Sequence, residues 1–159
     1  MEHIGSLVFH IIGVGLLVTA MVGGFIVDMQ YRNAADLKTK AVLLRAMKPI
    51  GLMGPLASLI LLVSGIGNMH SLGFGIFTVG WLTAKLFFYT LAVISGVIFG
   101  IMARRRGMLV GQMATDNAPT NADEILKKAD RQIALSHLVM PLLFLIIITL
   151  AIAGRLGAQ

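Results

Sequence analysis

A chain of 159 residues with 57% hydrophobic and only 13% charged residues, at a mean hydropathy of +0.90, is one domain and too apolar to be soluble, because soluble domains carry about a quarter charged residues. Its net charge of +6 suggests nucleic acid only until the cations are located, and eleven of the thirteen prove to lie in two segments. The absence of cysteine excludes disulfides, thiolate chemistry, iron–sulfur clusters and covalent c-type haem attachment.

Four stretches reach the roughly 20 apolar residues that a helix needs to cross a bilayer: residues 4–27, 49–67, 77–102 and 134–153. The expected fold is all-α, a single membrane domain built as a four-transmembrane-helix bundle. No positive n-region precedes the first stretch, and it is too long for a signal-peptide core, so it reads as a retained helix. Pro49 suits the first position of the second helix, where a missing N–H costs nothing, whereas Pro55 and Pro141 fall inside helices. In the third stretch Gly96 and Gly100 form a GxxxG. Gly51, Gly54, Ser58 and Gly65 give the second stretch a small-residue side. Both patterns are expected to pack within the bundle.

The connections set the orientation. Residues 28–48 hold five Lys/Arg and residues 103–132 hold six. Residues 68–77 hold none, and the tails contribute only Arg155. Eleven against one is a strong positive-inside signal, so both termini are expected on the non-cytoplasmic side, by default of a bacterial inner membrane. The basic balance then needs no nucleic acid, and the basic loops face anionic lipid headgroups. Residues 108–119 read as a mobile connection. Thr120-Asn121-Ala122-Asp123-Glu124 carries N-cap spacings after Pro119, which predicts a short cytoplasmic helix leading into the fourth span.

Lys85 is the most informative single residue. It lies about eight residues, roughly 12 Å, into the third span, where a lysine is expensive unless it faces the interior with a partner. Snorkelling to the headgroups is the alternative. Trp81 and Tyr89 flank it at i−4 and i+4. His10, six residues into the first span, falls at a similar depth and is a candidate metal or haem ligand or proton carrier. Gly13, on the same face, leaves room for a flat ligand or a close helix. His70, beside Met69 in the uncharged loop, and His3 are further candidates for axial haem ligation or a soft copper site. His137 begins the fourth span at the opposite face, as a headgroup-level cap, a second cofactor site or an inner proton relay.

These pieces, in this order, resemble the small four-helix membrane family that holds HemJ-type protoporphyrinogen oxidases, CopD-type copper-resistance proteins and their uncharacterised relatives. The matching segments are Phe9-His10-Ile11-Ile12, Met47-Lys48-Pro49 through Gly54-Pro55-Leu56, Leu62-Val63-Ser64-Gly65, and Gly80-Trp81-Leu82-Thr83-Ala84-Lys85-Leu86. They cover roughly the first hundred residues, and the chain resembles the uncharacterised relatives more than the HemJ enzymes. The resemblance implies haem b or a porphyrin as cofactor, with His10 as ligand. It implies Lys85 as the partner of a propionate or of the oxygen of an acceptor such as quinone, which makes Lys85 the catalytic candidate. Trp81 and Tyr89 by their spacing from Lys85, and His70 by its place at the outer side, are the further cofactor-binding candidates. An accessory subunit of a larger membrane complex or a homo-oligomer, and a CopD-like copper handler, are the competing expectations.

Overall fold

The computed structural model describes the backbone at residues 2–71, 73, 75, 79–115 and 117–156, and the side chains of these except at positions 2, 3, 155 and 156. Among them are four helices and no strand: α1 (Glu2–Asn33), α2 (Leu37–Ser71), α3 (Gly80–Met113) and α4 (Ala122–Leu156). Each contains a window long and apolar enough to cross a bilayer. Phe9, Leu52, Phe87 and Leu138, one from each helix, are 61, 71, 65 and 68% exposed. Side chains this apolar on every outer face suit lipid. The protein is an integral membrane protein. The start of the expected third span, at position 77, and the side chain of His3 lie outside the described residues.

The helices are longer than the spans inside them. At 32 to 35 residues each runs about 48–52 Å, against a hydrocarbon core of about 30 Å. The extra length lies largely at the end that carries the cations, here the basic end. What the sequence suggested as a 28–48 loop is helix except at residues 34–36. Pro49 accordingly stands inside α2 and not at its start. The cap is Asp36: its Oδ1 accepts from the Thr39 N–H (2.8 Å) and its Oδ2 from the Thr39 hydroxyl (2.7 Å), satisfying a donor that the first turn leaves orphaned. These bonds, the backbone N–H foremost, hold the exposed Asp36 carboxyl below its usual range. In the same way α3 continues to Met113, so residues 108–113 are helical and the connection narrows to 114–121. The helix predicted to lead into the fourth span is the first part of α4 itself, with Asp123 and Glu124 in its first turn, where acids complement the helix dipole.

Packing is pairwise. α1 lies along α2 and α3 along α4. α2–α3 and α1–α4 contacts close the ring, and α1/α3 and α2/α4 stand diagonally. Two glycines make the closest approaches. A Cβ at Gly13 would stand 2.9 Å from Leu61 Cγ, and one at Gly154 would overlap the Trp81 ring. Gly96 meets Met140 at 3.7 Å, but Gly51, Gly54, Gly65 and Gly100 meet nothing within 4 Å. The small-residue side of α2 and half of the GxxxG are therefore open, not buried in the bundle as expected. The buried side chains Tyr31, Leu109, Val110, Ala122 and Ile133 gather at the basic end.

Candidate functional site

Two polar centres sit at opposite ends of the bundle. The first lies where the apolar runs of the helices finish at the basic end. Arg106 of α3 is fully buried, Asp28 of α1 is 2% exposed and Tyr31 of α1 is 1% exposed. Arg106 Nη1 donates to Asp28 Oδ1 (2.6 Å) and Asp130 Oδ1 (3.2 Å). The other oxygen of Asp28 accepts from Arg32 Nε (2.8 Å), and Arg32 Nη2 reaches the Asp130 carbonyl (3.0 Å). The Arg106 guanidinium lies over the Tyr31 ring at 4.5 Å, and Lys40 of α2 is 5.4 Å from the same ring. Both distances allow cation–π attraction.

His137 of α4 completes this centre. Its Nε2 stands 3.2 Å from Asp28 Oδ2, near enough to pair when protonated but off the line of a hydrogen bond. Its ring packs edge-on against Phe25 at 5.4 Å. Two carboxylates and two guanidiniums make the centre formally neutral with His137 neutral, and singly positive when it is protonated. A buried charge is tolerated only when paired in this way.

Sequence reasoning counted Arg106 among loop cations and passed over Asp28, Tyr31 and Asp130. A signal was present. Asp28 and Arg32 are four residues apart on α1, and Asp130 and His137 seven apart on α4, so each pair shares one helical face. Two of the chain's seven acids thus sit beside apolar runs with cations in phase.

The second centre is at the distal end, where α1 begins and α4 finishes. His10 is half-buried on α1, and its Nδ1 is 2.9 Å from Ser64 Oγ on α2. Ser64, itself buried, donates its hydroxyl proton to the Ile60 carbonyl (2.6 Å). A hydroxyl has one proton, so with the Ser64–Ile60 bond made His10 donates from Nδ1. Ser6 adds a bond to the Ser64 carbonyl (2.8 Å). The room beside Gly13 is taken by Leu61, so that glycine serves close helix approach and not a flat ligand.

Lys85 is half-buried on α3. One turn before it Trp81 packs on Gly154 of α4, and one turn after it the Tyr89 hydroxyl donates to the Ser58 carbonyl of α2 (2.5 Å). A stripe that touches α4 at one point and α2 at the next faces into the bundle, so Lys85 stands on an inward face. The register fixes its depth. Tyr89 is level with Ser58 and His10 with Ser64. Six residues further along antiparallel α2 and α3 bring His10 level with Thr83, two residues or about 3 Å from Lys85. His10 and Lys85 occupy diagonal helices at one depth. Asp28 is eighteen residues from His10, about 27 Å along α1, so His137 belongs to the other centre.

His70 is exposed in the last turn of α2 rather than in a loop, six residues beyond Ser64. Among the described residues no three His, Asp or Glu side chains stand together as a metal site would require. Comparison with protein-family models, with characterised proteins and with solved structures finds no match to this chain.

Proposed function

We propose that this membrane protein binds haem b or a related porphyrin in the distal half of the bundle, with His10 as axial ligand. The supporting observation is the His10–Ser64–Ile60 hydrogen-bond chain. It holds the ring through Nδ1, so that Nε2 is the nitrogen that would ligate iron; metal-ligating histidines are commonly oriented through their other nitrogen in this way. Lys85, at the same depth on an inward face, suits a propionate or an acceptor oxygen. There a charge-assisted hydrogen bond would offset the cost of a lysine in lipid. Bound haem would supply one-electron chemistry, and membrane quinone is the acceptor class that the family resemblance suggests. A pyridine haemochrome spectrum of protein made under haem-replete conditions should show b-type haem. It should be lost in His10→Ala at unchanged protein yield. A wild-type preparation without Soret absorbance ends this reading.

The eleven-to-one charge split supports a basic end facing the cytoplasm of a bacterial inner membrane. Alkaline phosphatase fused after Gln159 should be active, and fused within residues 114–121 inactive. The reverse pattern would move the His10 centre to the cytoplasmic half.

A second reading, a subunit of a larger membrane assembly or homo-oligomer, is favoured by one observation. A Cβ at Gly51, Gly54, Gly65 or Gly100 would meet nothing within 4 Å, and small residues with open space beside them let another helix approach closely. Blue-native electrophoresis from a mild detergent separates the cases: migration at the monomer mass argues against it.

A further inference from the structure

The bundle is two helix pairs, α1 with α2 and α3 with α4, joined along α2 and α3. α1 and α4 touch least of the neighbouring helices. That thin edge is tied at the basic end. Arg32 Nη2 donates to the Asp130 carbonyl (3.0 Å), the His137 ring stands edge-on to Phe25 at 5.4 Å, and His137 Nε2 lies 3.2 Å from Asp28 Oδ2. The last of these ties is incomplete. Nε2 is buried without a hydrogen-bond partner, although a carboxylate oxygen stands within reach of it.

The charge on the ring decides whether that tie is made. The charged and titratable groups around His137 are Asp28, Tyr31 and Arg32 of α1, Lys40 of α2 at the Tyr31 ring, Arg106 of α3 and Asp130 of α4 itself. Of these side-chain types only histidine ordinarily changes its charge between about pH 5 and about pH 8. The arginines hold Asp28 and Asp130 at every pH in that range, so His137 is the one partner of Asp28 whose attraction can be switched. Its side chain is 20% exposed, which gives protons access to the ring. We propose that His137 is a proton-operated latch on the α1–α4 edge. Protonated, it pairs with Asp28 and draws α4 onto α1. Neutral, it leaves the edge to the arginines and Phe25, and the two helix pairs part more readily at the basic end.

The chain has no cysteine, so one labelled pair reads the edge directly. Asn33→Cys at the end of α1 and Lys128→Cys on α4, both exposed positions, carry nitroxide labels. The labelled protein is placed in lipid nanodiscs, and double electron–electron resonance gives the distance between the labels. From about pH 8 to about pH 5.5, across the histidine range, the ratio of short to long distances should rise about ten-fold. That is the change expected for one charge-assisted hydrogen bond. His137→Gln should keep the high-pH distribution throughout. His137→Lys, a permanent cation at the same position, should keep the short distances at both pH values, so the test does not hang on a single variant. A wild-type distribution that ignores pH, or lengthens in acid, overturns the latch. So does a response that survives in His137→Gln, or a His137→Lys edge that stays open.

Discussion

The basic end and the distal end of this bundle solve the same problem, polar groups in an apolar medium, in different ways. At the basic end Asp28, Arg106 and Asp130 neutralise one another, and Tyr31, Arg32 and His137 close around them. Three helices are joined there by charge, and α2 approaches through Lys40. At the distal end the polar groups are a neutral hydrogen-bond chain through His10 and Ser64 and a lysine on an inward face. Half-buried side chains and glycine contacts do the packing. In lipid, where apolar surface gives helices no reason to associate, the charged centre is the stronger lock.

The largest effect expected from this contrast is at Arg106. Arg106→Met keeps the length of the stem but removes the cation that Asp28 and Asp130 share, leaving the buried Asp28 with Arg32 alone, and should destabilise by about 3 kcal/mol. Thermal unfolding in detergent measures it. Adding Asp28→Asn should recover part of the loss, and a double variant no better than the single would show that the pair is not coupled. Next is Gly154→Ala, whose new methyl overlaps the Trp81 ring. Overpacking of this kind costs about 1–3 kcal/mol, and an unchanged melting temperature would mean that the distal end is loose enough to absorb it. Ser64→Ala removes the acceptor of His10 and should cost about 1 kcal/mol. It should also weaken the proposed haem binding, because the ring is no longer held through Nδ1. The smallest effect belongs to Asp36→Ala, which removes an exposed cap. The Asp36 carboxyl is depressed in the fold, so its contribution is present above the ordinary carboxylate range and fades as pH falls through it. The variant and wild type should therefore converge in acid.

Number and type of helices were legible in the sequence because twenty-residue apolar runs have few other physical solutions. Helix ends were not. Pro49 looked like a start, yet α2 begins at Leu37, because Asp36 provides a cap and prolines are tolerated inside membrane helices when neighbours compensate. His70 looked like a loop residue for the same reason: polarity marks where lipid ends, not where a helix ends. His10 and Lys85 could be placed at one depth by counting, but the hydrogen bond from His10 to Ser64 links residues 54 apart, a pairing that no local pattern encodes. The Arg106 centre was hidden by its surroundings, since one buried arginine in Arg104-Arg105-Arg106 cannot be told from two exposed ones without the facing helices.

The division of labour between the two ends is tested most directly by the change in melting temperature on adding hemin to wild type, Arg106→Met and His10→Ala. At a hundredfold excess over its Kd a ligand stabilises by about 2.7 kcal/mol, a readable shift. Hemin should raise the melting temperature of wild type and of the already weakened Arg106→Met by similar amounts and leave His10→Ala unmoved. A shift that persists in His10→Ala but disappears in Arg106→Met would place the ligand at the basic end and contradict the account.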